Sequence, residues 1–276
     1  MTVATPSWDP LILTVAPNGA YKTHGDHPKV PLTAEALAVA AHSCLMAGAS
    51  MIHLHVRNPA GRHILDTAAY QAATKAIRKA VGDELVIQIT SEAGKIYSPE
   101  EQMAVVREVR PEAVSVAIRE LVPDSASELK AAPFFEWLHR ERIMTQLILY
   151  SAEELVRYQD LRQRGVLPPA RDFLLFVLGR YSTGQQSDPR DVLPFLEVLS
   201  GSSPWAVCAF GVKENACLTA AIALSGHART GFENNLYLPD GRMAQDNAQL
   251  VGISAETATR LGRPLATARQ VRERFG

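Results

Sequence analysis

The spacing of apolar residues switches repeatedly between the two-residue period of strands and the 3.6-residue period of helices. The first run, 11–16, has strand composition, and Thr33 is a suitable cap for a helix that ends near Ala47, before Gly48. Residues 51–56 again have strand length and composition. The alternation predicts further helices over 67–81, 99–109, 125–140, 152–164, 189–200, 215–225 and 247–261, and strands over 85–90, 113–117, 143–149, 173–178, 205–209 and 228–231.

Eight strand-helix units with short connections and no linker rich in Pro, Gly or Ser favour a closed parallel barrel over an open doubly wound sheet. A chain of 276 residues lies in the range of one such domain. We therefore predict an α/β fold, a (β/α)8 TIM barrel, that forms a single domain over 1–276. In this architecture the chemistry sits in loops after the carboxyl ends of the strands.

Charge and composition indicate which kinds of binding partner to expect. The formal net charge is -1 and no segment collects like charges, so neither nucleic acid nor a membrane surface is expected as a partner. The first ten residues lack the pattern of a signal peptide, and no apolar stretch reaches the length of a membrane span, which predicts a cytoplasmic protein. The three cysteines are widely separated and predict free buried thiols. A small molecule is the expected ligand.

The second predicted strand carries two histidines, His53 and His55. Side chains two residues apart along a strand point to the same face, so both imidazoles are expected at the inner mouth of the barrel. One divalent ion can bind two such ring nitrogens at about 2 Å. The alternative is a pair of hydrogen-bonded core histidines.

Glu233 follows the eighth predicted strand. A carboxylate there completes a site of two histidines and one glutamate that leaves coordination positions open for water or substrate. These ligands suit zinc, and another divalent ion fits them as well. The alternative is a solvated loop glutamate that pairs with Arg229.

Other polar side chains also stand at the ends of predicted strands. They include Asn18, Thr90, Ser91, Arg180, Ser182 and Thr183. Turn and capping roles are the commoner functions of Asn, Ser and Thr at such places. The sequence has no GxGxxG, GxxxxGK[ST] or GxSxG pattern, which argues against a nucleotide-binding loop and against a serine hydrolase.

Two motifs, His53-Leu-His55-Val-Arg57 and the segment 229–236 (Arg-Thr-Gly-Phe-Glu-Asn-Asn-Leu), together resemble the β-keto acid cleavage enzyme family. Further similar blocks are 14–19, 31–33, 47–49, 86–90, 247–251 and 262–267. The resemblance implies a zinc-bearing (β/α)8 barrel, usually a homo-oligomer, that converts a β-keto acid and acetyl-CoA into acetoacetate and an acyl-CoA. It places the metal ligands at His53, His55 and Glu233, the arginine of the second motif at Arg229 and a hydroxyl residue at Thr90.

The chain departs from the family pattern at several positions. Asn234 stands where the family has an aspartate, and an amide cannot accept a proton. Tyr21 stands where the aminohexanoate member has an acidic residue, and 147–149 is apolar where the family is acidic. Loss of an acid near the substrate tail removes the partner of a substrate ammonium, which favours a neutral or anionic β-keto acid.

The predicted catalytic residues are Arg229, Asn234 and Thr90, and the predicted substrate contacts are Asn18, Tyr21, Ser182 and Thr183. Arg229 would anchor a carboxylate or the thioester oxygen, and the amide and hydroxyl would orient the substrate. The proton acceptor stays open among the substrate carboxylate, metal-bound water and Glu92. Two other functions also stay open: a zinc-dependent lyase or hydrolase that needs no CoA, and a metal-binding protein with reduced activity.

Overall fold

The computed structural model describes residues 7–169 and 172–276. Its strands are β1 (Leu13–Val15), β2 (Met51–Leu54), β3 (Val56–Arg57), β4 (His63–Ile64), β5 (Val86–Thr90), β6 (Ala113–Ala117), β7 (Met144–Leu149), β8 (Phe173–Leu178), β9 (Trp205–Ala209) and β10 (His227–Thr230). Strands β3 and β4 form an antiparallel pair. The other eight are parallel and close into a barrel in which β1 pairs with both β2 and β10. The predicted (β/α)8 barrel is confirmed.

The helices are α1 (Ala34–Met46), α2 (Thr67–Val81), α3 (Pro99–Val109), α4 (Ile118–Leu121), α5 (Ser125–Arg140), α6 (Ala152–Gln163), α7 (Leu193–Val198), α8 (Glu214–Ala223), α9 (Asn247–Arg260) and α10 (Ala268–Phe275). Side-chain caps set several of their starts. Thr33 caps α1 by accepting a hydrogen bond from the backbone N–H of Ala36, as the sequence predicts. Ser98 and Glu101 form a capping box before α3, whose first residue is a proline.

Apolar side chains form two main layers. One lies between strands and helices, and the other fills the barrel, where Met51, Val86 and Phe173 belong to the same cluster. Helix α10, which the sequence analysis missed, covers the amino-terminal end of the strands, since Phe275 stacks on Phe173 with ring centres 5.0 Å apart. The opposite, carboxyl end of the barrel is left for the site. The predicted free buried cysteines are confirmed at Cys44, Cys208 and Cys217.

The second strand ends at Leu54, earlier than the predicted 56, because Asn18 takes the main-chain groups of His55 out of the strand ladder. Asn18 accepts from the His55 N–H at 3.3 Å and donates to its carbonyl at 2.9 Å. The predicted helix 189–200 also divides, into a 3₁₀ turn over Pro189–Val192 followed by α7, which contains a proline near its start. In the described part of the chain, no helix combines the length and apolar character needed to cross a membrane.

Candidate active site

The two histidines of the HxH motif lie buried at the carboxyl end of β2. His53 Nδ1 is 2.8 Å from Oε1 of Gln88, its register neighbour on β5. A carbonyl oxygen only accepts, so Nδ1 carries the proton and the lone pair of Nε2 points toward His55. Gln88 Nε2 donates to Gln146 Oε1 at 3.2 Å, which fixes the orientation of the Gln88 amide. Such a partner on the second ring nitrogen is typical of metal-binding histidines.

The Glu233 carboxylate lies beside the Nε2 atoms of His53 and His55. Its Oε2 lies 3.6 Å from His53 Nε2 and 3.5 Å from His55 Nε2, and the two Nε2 atoms are 3.2 Å apart. The three potential ligand atoms all lie within 4.8 Å of one another. Glu233 Oε2 is buried and accepts no hydrogen bond from the described residues. Two imidazole nitrogens and an unsatisfied carboxylate oxygen that converge in this way fit a divalent ion.

The local electrostatics give His53 and Glu233 the protonation states that a metal needs. Burial, with a further contribution from Arg229, lowers the pKa of His53 to about 3, so its imidazole is neutral. Burial raises the pKa of Glu233, but Arg229 and the two histidines more than offset this and hold it well below its ordinary value. Arg229 Nη2 donates to Glu233 Oε1 at 2.7 Å. The ion pair considered from the sequence therefore exists, but it is buried and lies against both histidines.

Close packing and one buried acid hold the loop that carries Glu233. Gly19 has a positive φ of 61°, and a Cβ built there would lie 2.5 Å from Glu233 Cγ, so only glycine fits. Glu214, at the start of α8, accepts from the Gly231 N–H at 3.3 Å and from Asn235 Nδ2 at 3.2 Å. Burial raises the pKa of Glu214 to about 8. Glu214 was not predicted as a site residue, because its partners lie on a different element.

Two cavities lie at this end of the barrel. The inner chamber, of about 30 Å³, is lined in part by His53, Thr90, Tyr150 and Arg229. The outer vestibule, of about 500 Å³, includes Tyr21 in its wall. Residues that line both cavities are Glu92, Glu120, Arg180, Phe210 and Glu233. The vestibule and the inner chamber are therefore contiguous and lead to the three ligands.

The predicted catalytic residues occupy different places. Arg229 and Thr90 line the inner chamber, and Thr90 Oγ1 accepts from the N–H of Glu92 at 3.0 Å. Asn234 is buried next to Glu233 in sequence, but it is not among the residues that line either cavity. Its side-chain atoms have no hydrogen-bond partner among the described residues. The structure thus brings two of the three into contact with the chamber.

Three of the four predicted substrate contacts lie outside both cavities. Asn18 is buried and uses its side chain to hold the main chain of His55 and the carbonyl of Pro31. Ser182 and Thr183 are exposed, and Ser182 Oγ donates to the carbonyl of Gly179 within its turn. Contact of these three with substrate stays a prediction, whereas Tyr21 lines the vestibule.

Apart from Tyr21, the aromatic residues of the cavity walls were not predicted, because the polar side chains at strand ends were the ones considered. Tyr150 and Phe210 directly follow β7 and β9, which is the position that the barrel fold assigns to site residues. Glu120 lies in the four-residue helix α4, which gives no periodic signal in the sequence.

Comparison with known proteins gives the family of this chain. The family model described as beta-keto acid cleavage enzyme matches residues 10–276. A 3-keto-5-aminohexanoate cleavage enzyme of Fusobacterium nucleatum is 29% identical over 273 residues, which cover 95% of this chain and 96% of that protein. A 3-oxoadipate:acetyl-CoA acetyltransferase of Cupriavidus necator is 26% identical over 275 residues, which cover 97% of this chain and 95% of that protein.

A solved structure, the apo form of ObcA, is similar in fold with a TM-score of 0.72 and 17% sequence identity. The match covers 90% of this chain and 66% of the ObcA chain, so this chain spans just under two thirds of that length. At this identity the similarity establishes the fold alone. The family model, in contrast, covers nearly the whole sequence, including both motifs that carry the candidate ligands. This chain belongs to the β-keto acid cleavage enzyme family.

Proposed function

We propose that this β-keto acid cleavage enzyme uses acetyl-CoA as its second substrate and holds one divalent ion, zinc, through His53, His55 and Glu233. The observation that carries the proposal is the convergence of two Nε2 atoms and the unsatisfied Glu233 Oε2 beside a cavity. The names of relatives, one an acetyl-CoA acetyltransferase, support the acyl acceptor. A cytoplasmic location and a homo-oligomeric state belong to the same proposal.

A divalent ion bound there supplies Lewis-acid stabilisation of negative charge that develops on the keto oxygen. Arg229 binds the substrate carboxylate or the thioester oxygen, since one Nη is used by Glu233 and its buried Nε has no partner among the described residues. Thr90 Oγ1 already accepts one hydrogen bond, so its hydroxyl proton is left to donate to substrate in the chamber.

Carbon-carbon cleavage also requires a proton acceptor, and the Asn234 amide cannot serve. Glu92 lines both cavities, and its Oε2 lies 3.8 Å from His55 Nε2. This position beside the ligands supports Glu92 as the acceptor, ahead of the other candidates that the sequence leaves open.

The metal is tested by elemental analysis of the purified protein. We expect about one zinc per chain in the wild type and background amounts in a His53→Ala, His55→Ala double variant. His139→Ala is the matched control, because this histidine is exposed and far along the chain from the site. Full occupancy in the double variant, with an unchanged circular dichroism spectrum, would exclude the assignment.

The second substrate is tested with a panel of β-keto acids, each with and without acetyl-CoA. We expect acetoacetate and a new acyl-CoA to appear together, in equal amounts, and only when acetyl-CoA is present. Turnover without CoA would instead indicate a different lyase or hydrolase. Absence of turnover with the metal bound would indicate a metal-binding protein with reduced activity.

A further inference from the structure

Arg180 lies where the two cavities of the site meet. It follows β8 by two residues, lines both the inner chamber and the vestibule, and keeps 23% of its side chain exposed. A molecule that reaches the three ligands through the vestibule therefore passes this guanidinium. The cation stands at the outer part of the site, where the far end of a substrate would be placed.

Two aromatic rings hold the guanidinium of Arg180. Its central carbon lies 5.2 Å from the ring centre of Tyr21 and 5.1 Å from that of Phe210. Contacts with ring faces leave the in-plane N–H groups available. Among the described residues none accepts a hydrogen bond from this side chain, and the nearest carboxylate, of Glu92, approaches to only 3.8 Å. The arginine is fixed in position, yet its donors are unused.

A second arginine stacked between aromatic rings, Arg119, differs from Arg180 in its hydrogen bonding. Arg119 lies between Tyr150 and Tyr181, with its central carbon 4.4 Å and 4.8 Å from the two ring centres. Its Nε, however, donates to the carboxylate of Glu154, so its charge is matched within the protein. Arg180 has the same aromatic support without such a hydrogen bond. A planar fork of free donors is the arrangement that binds a carboxylate through two contacts.

The other charged side chains of the vestibule wall are those of Lys22, Asp26, Glu92, Lys95, Glu120 and Glu233. The Glu120 carboxylate accepts a hydrogen bond from Gln102 Nε2 at 2.7 Å, and burial raises its pKa, which favours its neutral form. Lys22 pairs with Asp26 at 3.9 Å. Lys95 is exposed on the vestibule wall and adds a further positive charge. Glu92 is the carboxylate nearest to Arg180, and because it accepts no hydrogen bond from the guanidinium, the donors of Arg180 remain available to a substrate carboxylate.

We propose that Arg180 binds a carboxylate at the far end of the substrate, so that the preferred substrate is a β-keto diacid. The proposal rests on the proposed function, because the three ligands and Arg229 hold the keto acid end of the same molecule. Tyr21 contributes by supporting the cation of Arg180. An acidic residue at position 21 would instead neutralise that cation.

The test compares three β-keto acids of equal length that differ at the tail: 3-oxoadipate, 3-oxohexanoate and 5-amino-3-oxohexanoate. With acetyl-CoA present, the wild type should favour 3-oxoadipate over 3-oxohexanoate in kcat/KM by about 10- to 100-fold, the range expected for hydrogen bonds to a charged group. Arg180→Gln should abolish this preference by raising KM for 3-oxoadipate, with little change for 3-oxohexanoate. Arg269→Gln is the control, since it removes the same charge from an exposed position on α10.

A binding measurement separates this proposal from the proposed function. Calorimetry with the uncleavable 3-hydroxyadipate and 3-hydroxyhexanoate reports tail recognition without turnover. Tighter binding of the diacid in the wild type, lost in Arg180→Gln, supports the role of Arg180 even if no keto acid is cleaved. Equal affinity for both tails would overturn it. So would an Arg180→Gln enzyme whose KM rises for acetyl-CoA but not for 3-oxoadipate, because Arg180 would then contact the CoA.

Discussion

Glu214 should make the free energy of unfolding depend on pH, because it is an acid buried beneath the loop that carries Glu233. Burial raises its pKa from 4.5 to about 8. Between these pH values the folded protein keeps the proton and the unfolded chain releases it. The free energy of unfolding should therefore fall as pH rises from 4.5 to 8, and the decrease is complete above the folded pKa.

The variant Glu214→Gln removes this titration. A rise of the pKa from 4.5 to about 8 corresponds, at about 1.4 kcal/mol per pH unit, to on the order of 4 to 5 kcal/mol. Glutamine also places an N–H₂ group where one carboxylate oxygen now accepts a hydrogen bond from Asn235, but this cost is the same at every pH. The stability of the variant minus that of the wild type should consequently increase by that order of magnitude between pH 4.5 and 8.

The assay is urea unfolding of both proteins at several pH values from 5 to 8. Every ionisation other than that of Glu214 is common to both proteins and cancels in the difference. Glu136→Gln, on the exposed side of α5, is the control and should give a difference that does not change with pH. A difference for Glu214→Gln that stays constant within about 1 kcal/mol, the size of one typical hydrogen bond, would refute the reasoning.

Two further predictions concern the strand-eight motif. Arg229→Lys should keep the metal, measured by elemental analysis, and lower kcat/KM by about 10- to 100-fold, because an ammonium cannot reproduce a two-point contact; wild-type kinetics would assign Arg229 a purely structural role. Asn234→Asp should leave kcat/KM unchanged or lower it, since a new negative charge beside Glu233 repels an anionic substrate. A gain in kcat/KM above about tenfold (~1.4 kcal/mol) would show that a carboxylate at position 234 promotes the reaction.

Much of the fold and of the candidate metal site was predictable from sequence because the signals are local. The two-residue period of a strand fixes the shared face of His53 and His55, and the barrel rule brings loop residues such as Glu233 to the same end. The bounds of α2, α3, α5, β6, β8 and β9 agree with prediction for the same reason, since caps and apolar runs mark them.

What the sequence could not provide are contacts made between distant elements. Asn18 ends β2 by binding the main chain of His55, and no pattern near 18 indicates this. The position of Arg180 after a strand was predictable, but its stacking with Tyr21 and Phe210 depends on three separate loops. Glu214 lies at a helix start, where an acidic residue is ordinary. Its burial follows only from the packing of α8 against the last strand.

The positions of the three candidate metal ligands bear on the order in which the molecule assembles. His53 lies on β2, His55 directly follows β2, and Glu233 follows β10. Strands β2 and β10 flank β1 at the seam where the barrel closes. A chain whose last strand has not yet joined the first offers two histidines without the carboxylate. The proposed ion would thus bind fully only to the finished barrel, and its binding energy would be added to closure of the seam. Loss of the ion and opening of the seam are then linked, so that whatever loosens one also weakens the other.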